Sequence, residues 1–379
     1  MTRRHLSLTA AMVVAAIVTA TLLAGCAARR GTGGRVYARI IAYNVQNLFD
    51  GTDHGGEYPE FRASAGWDRG DYYERLERLG EAIRRTSRRL PDVVVLSEVE
   101  SASVAADLAR DFLRRYRWVS AAPEPGRAAA PHYPGPATRV AVLSRRRPEL
   151  RSHRAAQLDL VPGAAPRVRW QGRETLELRF AARGLRLLAA HWKSQSGGER
   201  ETEPKRMLEA ALVHDLLLAT SGLEADYPVT LLAGDLNEDL HEARQHGGAW
   251  PTALAPLAPA AGDANAPADV AVSSTGAAAR IWFVEADTPP PGDAAAGPVW
   301  RTLWHGAGAP GTYRYRGEWE RLDHAFLLAG GEYGGRIAVG AWNELFDAHG
   351  GPARYDARRG RGYSDHLPIL VTVTRRPGP

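Results

Sequence analysis

Cysteine is almost absent: Cys26 is the only one in 379 residues, which excludes a disulfide within the chain and a zinc site built on thiolates. A large excess of one charge is also missing. Lys and Arg number 48 against 43 Asp and Glu, a net charge of +5 that falls to 5 − 2 = +3 once a leader holding Arg3 and Arg4 is removed. Neither an acidic tail nor a strongly basic surface follows from that balance. The sequence pI of about 9.4 suits a polyanionic partner or an anionic surface, and arginine-rich composition accounts for it equally well. No internal repeat appears, which argues against a solenoid. What is present is 44% hydrophobic and 24% charged residues, enough for a large folded core, and 39 Gly with 25 Pro, which require long, punctuated loops.

The first 25 residues read as an export signal: a basic start with Arg3 and Arg4, an apolar run from Leu6 to Leu23, then Leu23-Ala24-Gly25-Cys26. The arrangement resembles a bacterial lipoprotein signal with its lipobox. That resemblance implies that Cys26 is acylated and becomes the new N-terminus, that residues 26–36 form a flexible tether, and that acyl chains hold the protein on a membrane. Ala27 and Ala28 lack the acidic residue typical of inner-membrane retention, so the resemblance places the protein at the outer membrane or cell surface. A plain signal peptide or an uncleaved apolar helix is the alternative. The export route stays open, because the paired arginines are only faintly similar to a twin-arginine signal.

Residues 37–375 read as one domain. Alternating, β-branched residues from Arg35 to Ala42 predict a strand that ends at the polar Asn44-Val45-Gln46-Asn47. Tyr73, Leu76, Leu79 and Ile83 recur at helical spacing, and Pro91 separates them from the apolar run Val93–Leu96. Further strands are expected at Val140–Leu143, Glu174–Phe180, Leu185–Ala190, Val229–Ala233, Leu322–Leu328 and Leu367–Val373, and a helix at about Lys205–Leu218. Such a mixture points to a layered α/β sandwich. The Ala/Pro/Gly-rich stretch at about 242–310 reads as surface insertions containing only a short strand-like segment at Arg280–Val284, and Pro123–Pro136 and Gly51–Gly70 read as loops.

Five polar clusters lie at or beside the ends of predicted strands: Asn44-Val45-Gln46-Asn47, Ser97-Glu98-Val99-Glu100, His191-Trp192-Lys193-Ser194, Gly234-Asp235-Leu236-Asn237 and Ser364-Asp365-His366. Strands gathered in a sheet would bring such ends to one cleft. Each also has a plainer explanation. Glu98 suits a solvated loop, Asp235-Leu236-Asn237 an ordinary turn, and Asp365-His366 a helix cap or structural pair, while His191 suits the close of a strand. Taken singly, these explanations win or tie. Jointly, they require five coincidences in order.

That order, with Leu322-Asp323-His324 and Ser364-Asp365-His366-Leu367-Pro368 near the end, resembles the motif series of the endonuclease/exonuclease/phosphatase superfamily over about Tyr37 to Thr374. The resemblance implies a deoxyribonuclease-I-like fold: a four-layer α/β/β/α sandwich with two packed mixed β-sheets and the active site at one edge. It implies Glu98 as the primary metal ligand, with Asn44 and Asp365 supporting that shell. Oxygen ligands suit Mg²⁺ or Mn²⁺. Catalytic roles fall to His191, Asp235, Asn237, Asp323 and His366. Asp235 and Asn237 would position and deprotonate water, and Asp323 would orient His366 as it stabilises developing charge. Whether Asp235 or His366 is the formal base stays open. Gln46 stands where the family often has an acid, so one bound ion is expected.

Arg139, Lys193 and Arg206 are candidate phosphate contacts, with surface solvation an equal explanation. The run Tyr313-Arg314-Tyr315-Arg316-Gly317-Glu318-Trp319 either stacks bases and grips phosphate or forms half-buried sheet. The leading expectation is an exported, monomeric nuclease acting on nucleic acid. Behind it stand a phosphatase or phospholipase C-like phosphodiesterase acting on lipid head groups or small phosphates, and a lipoprotein that binds without catalysis. The absence of an apolar lid favours nucleic acid.

Overall fold

The computed structural model describes residues 34–122, 137–159, 169–219, 222–223, 225–254, 282–284, 299–305 and 309–377. The leader, Cys26 and the tether up to residue 33 lie outside the described residues. In chain order the strands are β1 (Arg35–Leu48), β2 (Val93–Val99), β3 (Trp118–Ala121), β4 (Arg139–Ser144), β5 (Leu150–Asp159), β6 (Arg169–Phe180), β7 (Leu185–His191), β8 (Val229–Asp235), β9 (Trp282–Val284), β10 (Val299–Thr302), β11 (Tyr313–Tyr315), β12 (Glu318–Glu320), β13 (Asp323–Ala329), β14 (Tyr333–Val339) and β15 (Ile369–Arg375). The helices are α1 (Arg69–Thr86), α2 (Ala102–Asp111), α3 (Glu199–Leu218) and the short α4 (Glu242–Gln245).

One sheet runs β14-β15-β1-β2-β4-β3 and the other β5-β6-β7-β8-β13-β10-β9, with β11 and β12 forming a separate hairpin. Each large sheet is mixed, because β1 pairs with β2 and β7 with β8 in parallel while their other neighbours are mostly antiparallel. The layering follows from the strands being apolar on both faces. Ile40, Ala42, Val93 and Val95 point inward to meet Leu187, Leu231 and Leu327 of the opposite sheet. Their neighbours Ile41, Tyr43, Val94 and Leu96 point outward to Leu76, Leu79 and Ile83 of α1 and to Leu108 of α2. On the far side Leu188, Ala190 and Leu232 meet Ala210, Val213 and Leu216 of α3. The result is the four-layer α/β/β/α sandwich.

Local signals set the helix starts. Asp68 caps α1, accepting from the amides of Gly70 and Asp71 while Asp71 bonds back to the Asp68 amide. Helix α3 begins earlier than the predicted Lys205, and Pro204 lies in its second turn, past the free N–H groups of the first turn, so the helix forgoes one i→i−4 bond there. The expectation of insertions at about 242–310 needs one correction. β9 and β10 extend the second sheet, and Trp300 is fully buried in the core under α3, because its strand continues the ladder from β13. The stretches 255–281 and 285–298 lie outside the described residues. Among the described residues no helix is long and apolar enough to cross a membrane.

Gly234 is required by the sheet itself. It has φ +143°, and a Cβ there would sit 1.9 Å from the carbonyl oxygen of Ala190 on the neighbouring parallel strand. Gly234→Ala is expected to destabilise the fold by about 3 kcal/mol or more, read as a lowered urea midpoint. An unchanged midpoint would mean that β7 and β8 are not held this closely.

Candidate active site

Topology brings the polar clusters together. Parallel pairing of β1 with β2 puts Asn44 opposite Ser97, one residue before Glu98. Parallel pairing of β7 with β8 puts His191 opposite Asp235, and the antiparallel β13 begins with Asp323 opposite the same Asp235. His366 enters just before β15, which runs antiparallel to β1. Both sheets therefore deliver their polar ends to one edge, into a cleft of about 630 Å³ lined by Asn44, Glu98, Asp235, Asn237, Asp365 and His366.

Asp235 is the hub. Asn44 Nδ2 donates to its Oδ2 at 2.8 Å and the Asn237 amide donates to its Oδ1 at 2.9 Å. His191 Nε2 lies 3.5 Å and His366 Nε2 3.8 Å from Oδ2. His366 Nδ1 is 2.7 Å from Asp323 Oδ2, an arrangement that leaves Nε2 aimed at Asp235. Burial opposes the charge on His366, but Asp323 and then Asp235 raise its pKa to about 10. Burial, followed by the positive charges of Arg173 and His366, holds His191 well below the ordinary histidine range, so its imidazole is neutral. Burial also raises Asp235, against the pull of His366.

Glu98 Oε2 accepts the Asn47 amide at 2.9 Å, while its Oε1 faces His191 at 3.8 Å. Asn237 donates from Nδ2 to the Trp192 carbonyl, which turns its side chain toward the loop after β7. Glu98, Asn237, Gln46 and Asn47 all have positive φ, from 51° to 66°. Such backbone strain collects where the surrounding structure enforces it. Here Arg75, fully buried on α1, donates to the carbonyls of Val45, Gln46 and Asn47 and lies 4.1 Å from the centroid of the Tyr355 ring. The sequence reading missed Arg75. The only available signal was an arginine on the apolar face of a helix, between Tyr72 and Leu76.

The expected phosphate contacts fare differently. Arg206 is fully buried and paired with Glu203 and Glu238, so it braces the core beside the cleft and presents nothing to a substrate. Arg139 is 6% exposed and donates to the Glu100 carbonyl. Both expectations are corrected: each guanidinium is turned inward, where unpaired carboxylates or carbonyls would otherwise be desolvated. Lys193 Nζ bonds the carbonyls of Ser194 and Ser196 and so braces the loop that leads into α3.

A model of the endonuclease/exonuclease/phosphatase family matches residues 39–247, more than half of the chain. The chain belongs to this family. Among solved structures, truncated TDP2 from Caenorhabditis elegans is 15% identical, covers 89% of this chain and 97% of its own, and has a TM-score of 0.43. The endonuclease/exonuclease/phosphatase protein from Bacteroides vulgatus is 13% identical over 89% of this chain and 98% of its own, with a TM-score of 0.47. Sphingomyelinase C from Streptomyces griseocarneus is 18% identical over 88% and 98%, with a TM-score of 0.45. None of the curated proteins matches.

Within this member of the endonuclease/exonuclease/phosphatase family, Gln46 is spent on the backbone. It donates to the Tyr355 carbonyl and accepts the Tyr355 amide, away from the cleft. A second group that the sequence reading did not single out is Asp50, His54 and Glu100, whose ligand-type atoms lie within 4.8 Å of one another beyond the Glu98 strand. Burial raises the Glu100 carboxyl to about 7.

Proposed function

We propose that this chain is a divalent-metal-dependent phosphodiesterase, exported and held on a membrane by lipid at Cys26. The observation that carries the reading is Asp235, met by Asn44, Asn237, His191 and His366, with the carboxylates of Glu98 and Asp365 facing the same cleft. The donor set fits a hard cation. Glu98 Oε1 and the Asp365 carboxylate accept no hydrogen bond among the described residues, and such oxygens are what Mg²⁺ or Mn²⁺ takes. Glu98 and Asp365 would hold the ion, with Asn44 beside them. Family enzymes typically use divalent metals, and a bound ion supplies charge neutralisation at the phosphoryl oxygens.

The remaining work falls to the chain's own groups. Asp235, oriented by Asn44 and the Asn237 amide, takes the proton of the attacking water. His366, clamped by Asp323, sets a positive charge against the phosphoryl oxygens as they gain charge. His191, neutral, donates from Nε2 to a phosphoryl oxygen or the leaving group. Asn237 positions phosphate. The inward turn of Arg139 and Arg206 removes two candidate phosphate contacts, and a phosphodiesterase acting on a lipid head group stands beside the nuclease reading.

Purified full chain is expected to hydrolyse bis(p-nitrophenyl) phosphate with added Mg²⁺ or Mn²⁺ and to stop when a chelator is added. Turnover that ignores the chelator would retire the metal assignment. Cys26→Ser is expected to move the protein from the membrane to the soluble fraction, and unchanged partitioning would refute lipidation at that residue.

A further inference from the structure

Two walls of the cleft carry charge that hydrolysis itself leaves unused. In the hairpin, Tyr313 lies opposite Glu320 and Tyr315 opposite Glu318, so these four side chains share one face while Arg314 and Trp319 take the other. Tyr313, Tyr315 and Glu320 line the cleft. Arg314 is tied to the carbonyls of Gly317 and His349, and Trp319 packs on the outer core. The facing wall is the loop from Ser194 to Glu199, which also lines the cleft. Glu199 stands near enough that, after burial and Asp239, it helps hold the Glu320 carboxyl above the usual range. Among the described residues neither glutamate has a cationic side chain within ion-pair distance.

Among the described residues that line it, the cleft thus holds the carboxylates of Glu98, Glu199, Asp235, Glu320 and Asp365 and one cationic side chain, His366. A divalent ion would offset two charges among Glu98, Asp235 and Asp365, and His366 is shared between Asp235 and Asp323. Glu199 and Glu320 stay uncompensated next to a substrate phosphate that is itself negative. A nucleic-acid strand would place further phosphates against them, at a repulsive cost. A positive group on the substrate would instead complete the balance. The tyrosine rings attract cations: the Arg316 guanidinium lies 5.1 Å from the Tyr315 centroid on one face, and the Tyr313 ring lies 4.9 Å from that of His366, so a cationic arm would take the ring faces that these leave open.

We propose that Glu199, Glu320, Tyr313 and Tyr315 form a subsite for a cationic arm, so that the phosphodiester cleaved bears an ammonium group of the choline or ethanolamine kind. The inference rests on the reading of this cleft as a phosphodiesterase site, and the test separates the two. By calorimetry with Mg²⁺ present, the full chain is expected to bind phosphocholine about tenfold more tightly than glycerol phosphate. Glu320→Gln is expected to erase most of that difference, and Tyr315→Ala, which alters an exposed ring, serves if Glu320→Gln does not fold. Turnover of p-nitrophenyl phosphocholine should likewise exceed that of bis(p-nitrophenyl) phosphate. Glycerophosphocholine and phosphatidylcholine vesicles then distinguish a soluble source from a membrane lipid, and preference for either supports the subsite. Equal affinities in the wild type, a difference that survives Glu320→Gln, or a preference for an oligonucleotide would overturn it. A clear binding difference without any ester hydrolysis would support the subsite and count against the hydrolase reading alone.

Discussion

Glu98→Gln is expected to lower kcat/KM for bis(p-nitrophenyl) phosphate by about 10²-fold or more, with the thermal midpoint nearly unchanged. The substitution separates charge from shape. A glutamine carbonyl still accepts the Asn47 amide that Glu98 Oε2 accepts at 2.9 Å, so the left-handed turn at Asn47 keeps its anchor. What goes is the negative charge on the oxygen that faces the cleft, which a hard cation needs. The loss should therefore appear first as a weaker Mg²⁺ dependence, with part of the activity recovered at high Mg²⁺. Activity within about threefold of wild type at every Mg²⁺ level would remove Glu98 from the metal site.

The second large effect belongs to the His366–Asp323 pair. His366→Gln keeps a hydrogen-bond donor near Asp323 and removes the cation, and is expected to cost about 10³-fold in kcat. Asp323→Asn leaves the imidazole but takes away the carboxylate 2.7 Å from its Nδ1, with an expected cost of about 10²-fold. The double variant should be no slower than His366→Gln, because the two residues act as one unit. The pH dependence has a definite sign. Burial by itself lowers the His366 pKa and the two carboxylates raise it to about 10, so the wild-type imidazole is cationic at neutrality. With Asp323 neutralised, the ring gives up its proton earlier as pH rises, and activity should fall on the alkaline side. A proton-resonance titration of His366 reads this directly, and an unchanged midpoint in Asp323→Asn would show that the carboxylate does not hold the charge.

Much of the candidate site was legible in the chain. Gly234-Asp235-Leu236-Asn237 and Ser364-Asp365-His366 stand where apolar runs stop or start, and a strand inside a two-sheet core can turn polar only where it leaves that core. What could not be read was the direction in which arginines turn. Arg206 was a candidate phosphate contact, yet Glu203 on the same helix and Glu238 after β8 claim it. The short strands β3 and β10 were missed because four residues carry too little alternation to register, whereas β9 falls within the strand-like Arg280–Val284. Arg75 was missed for another reason: its acceptors are three carbonyls that face one way only once Gln46 and Asn47 adopt positive φ.

The sequence by itself determined the layered core, the order of the polar strand ends and the family, since alternation, apolar run length and motif order are properties of neighbours along the chain. Only the tertiary structure decided which charged groups face the cleft. That choice depends on partners far apart in sequence, such as Arg139 with Glu100 and His366 with Asp323, and on the register that sets Tyr313 and Glu320 side by side. A buried charge goes where a counter-charge or a set of carbonyl acceptors is placed to meet it, and the linear chain does not state that distance.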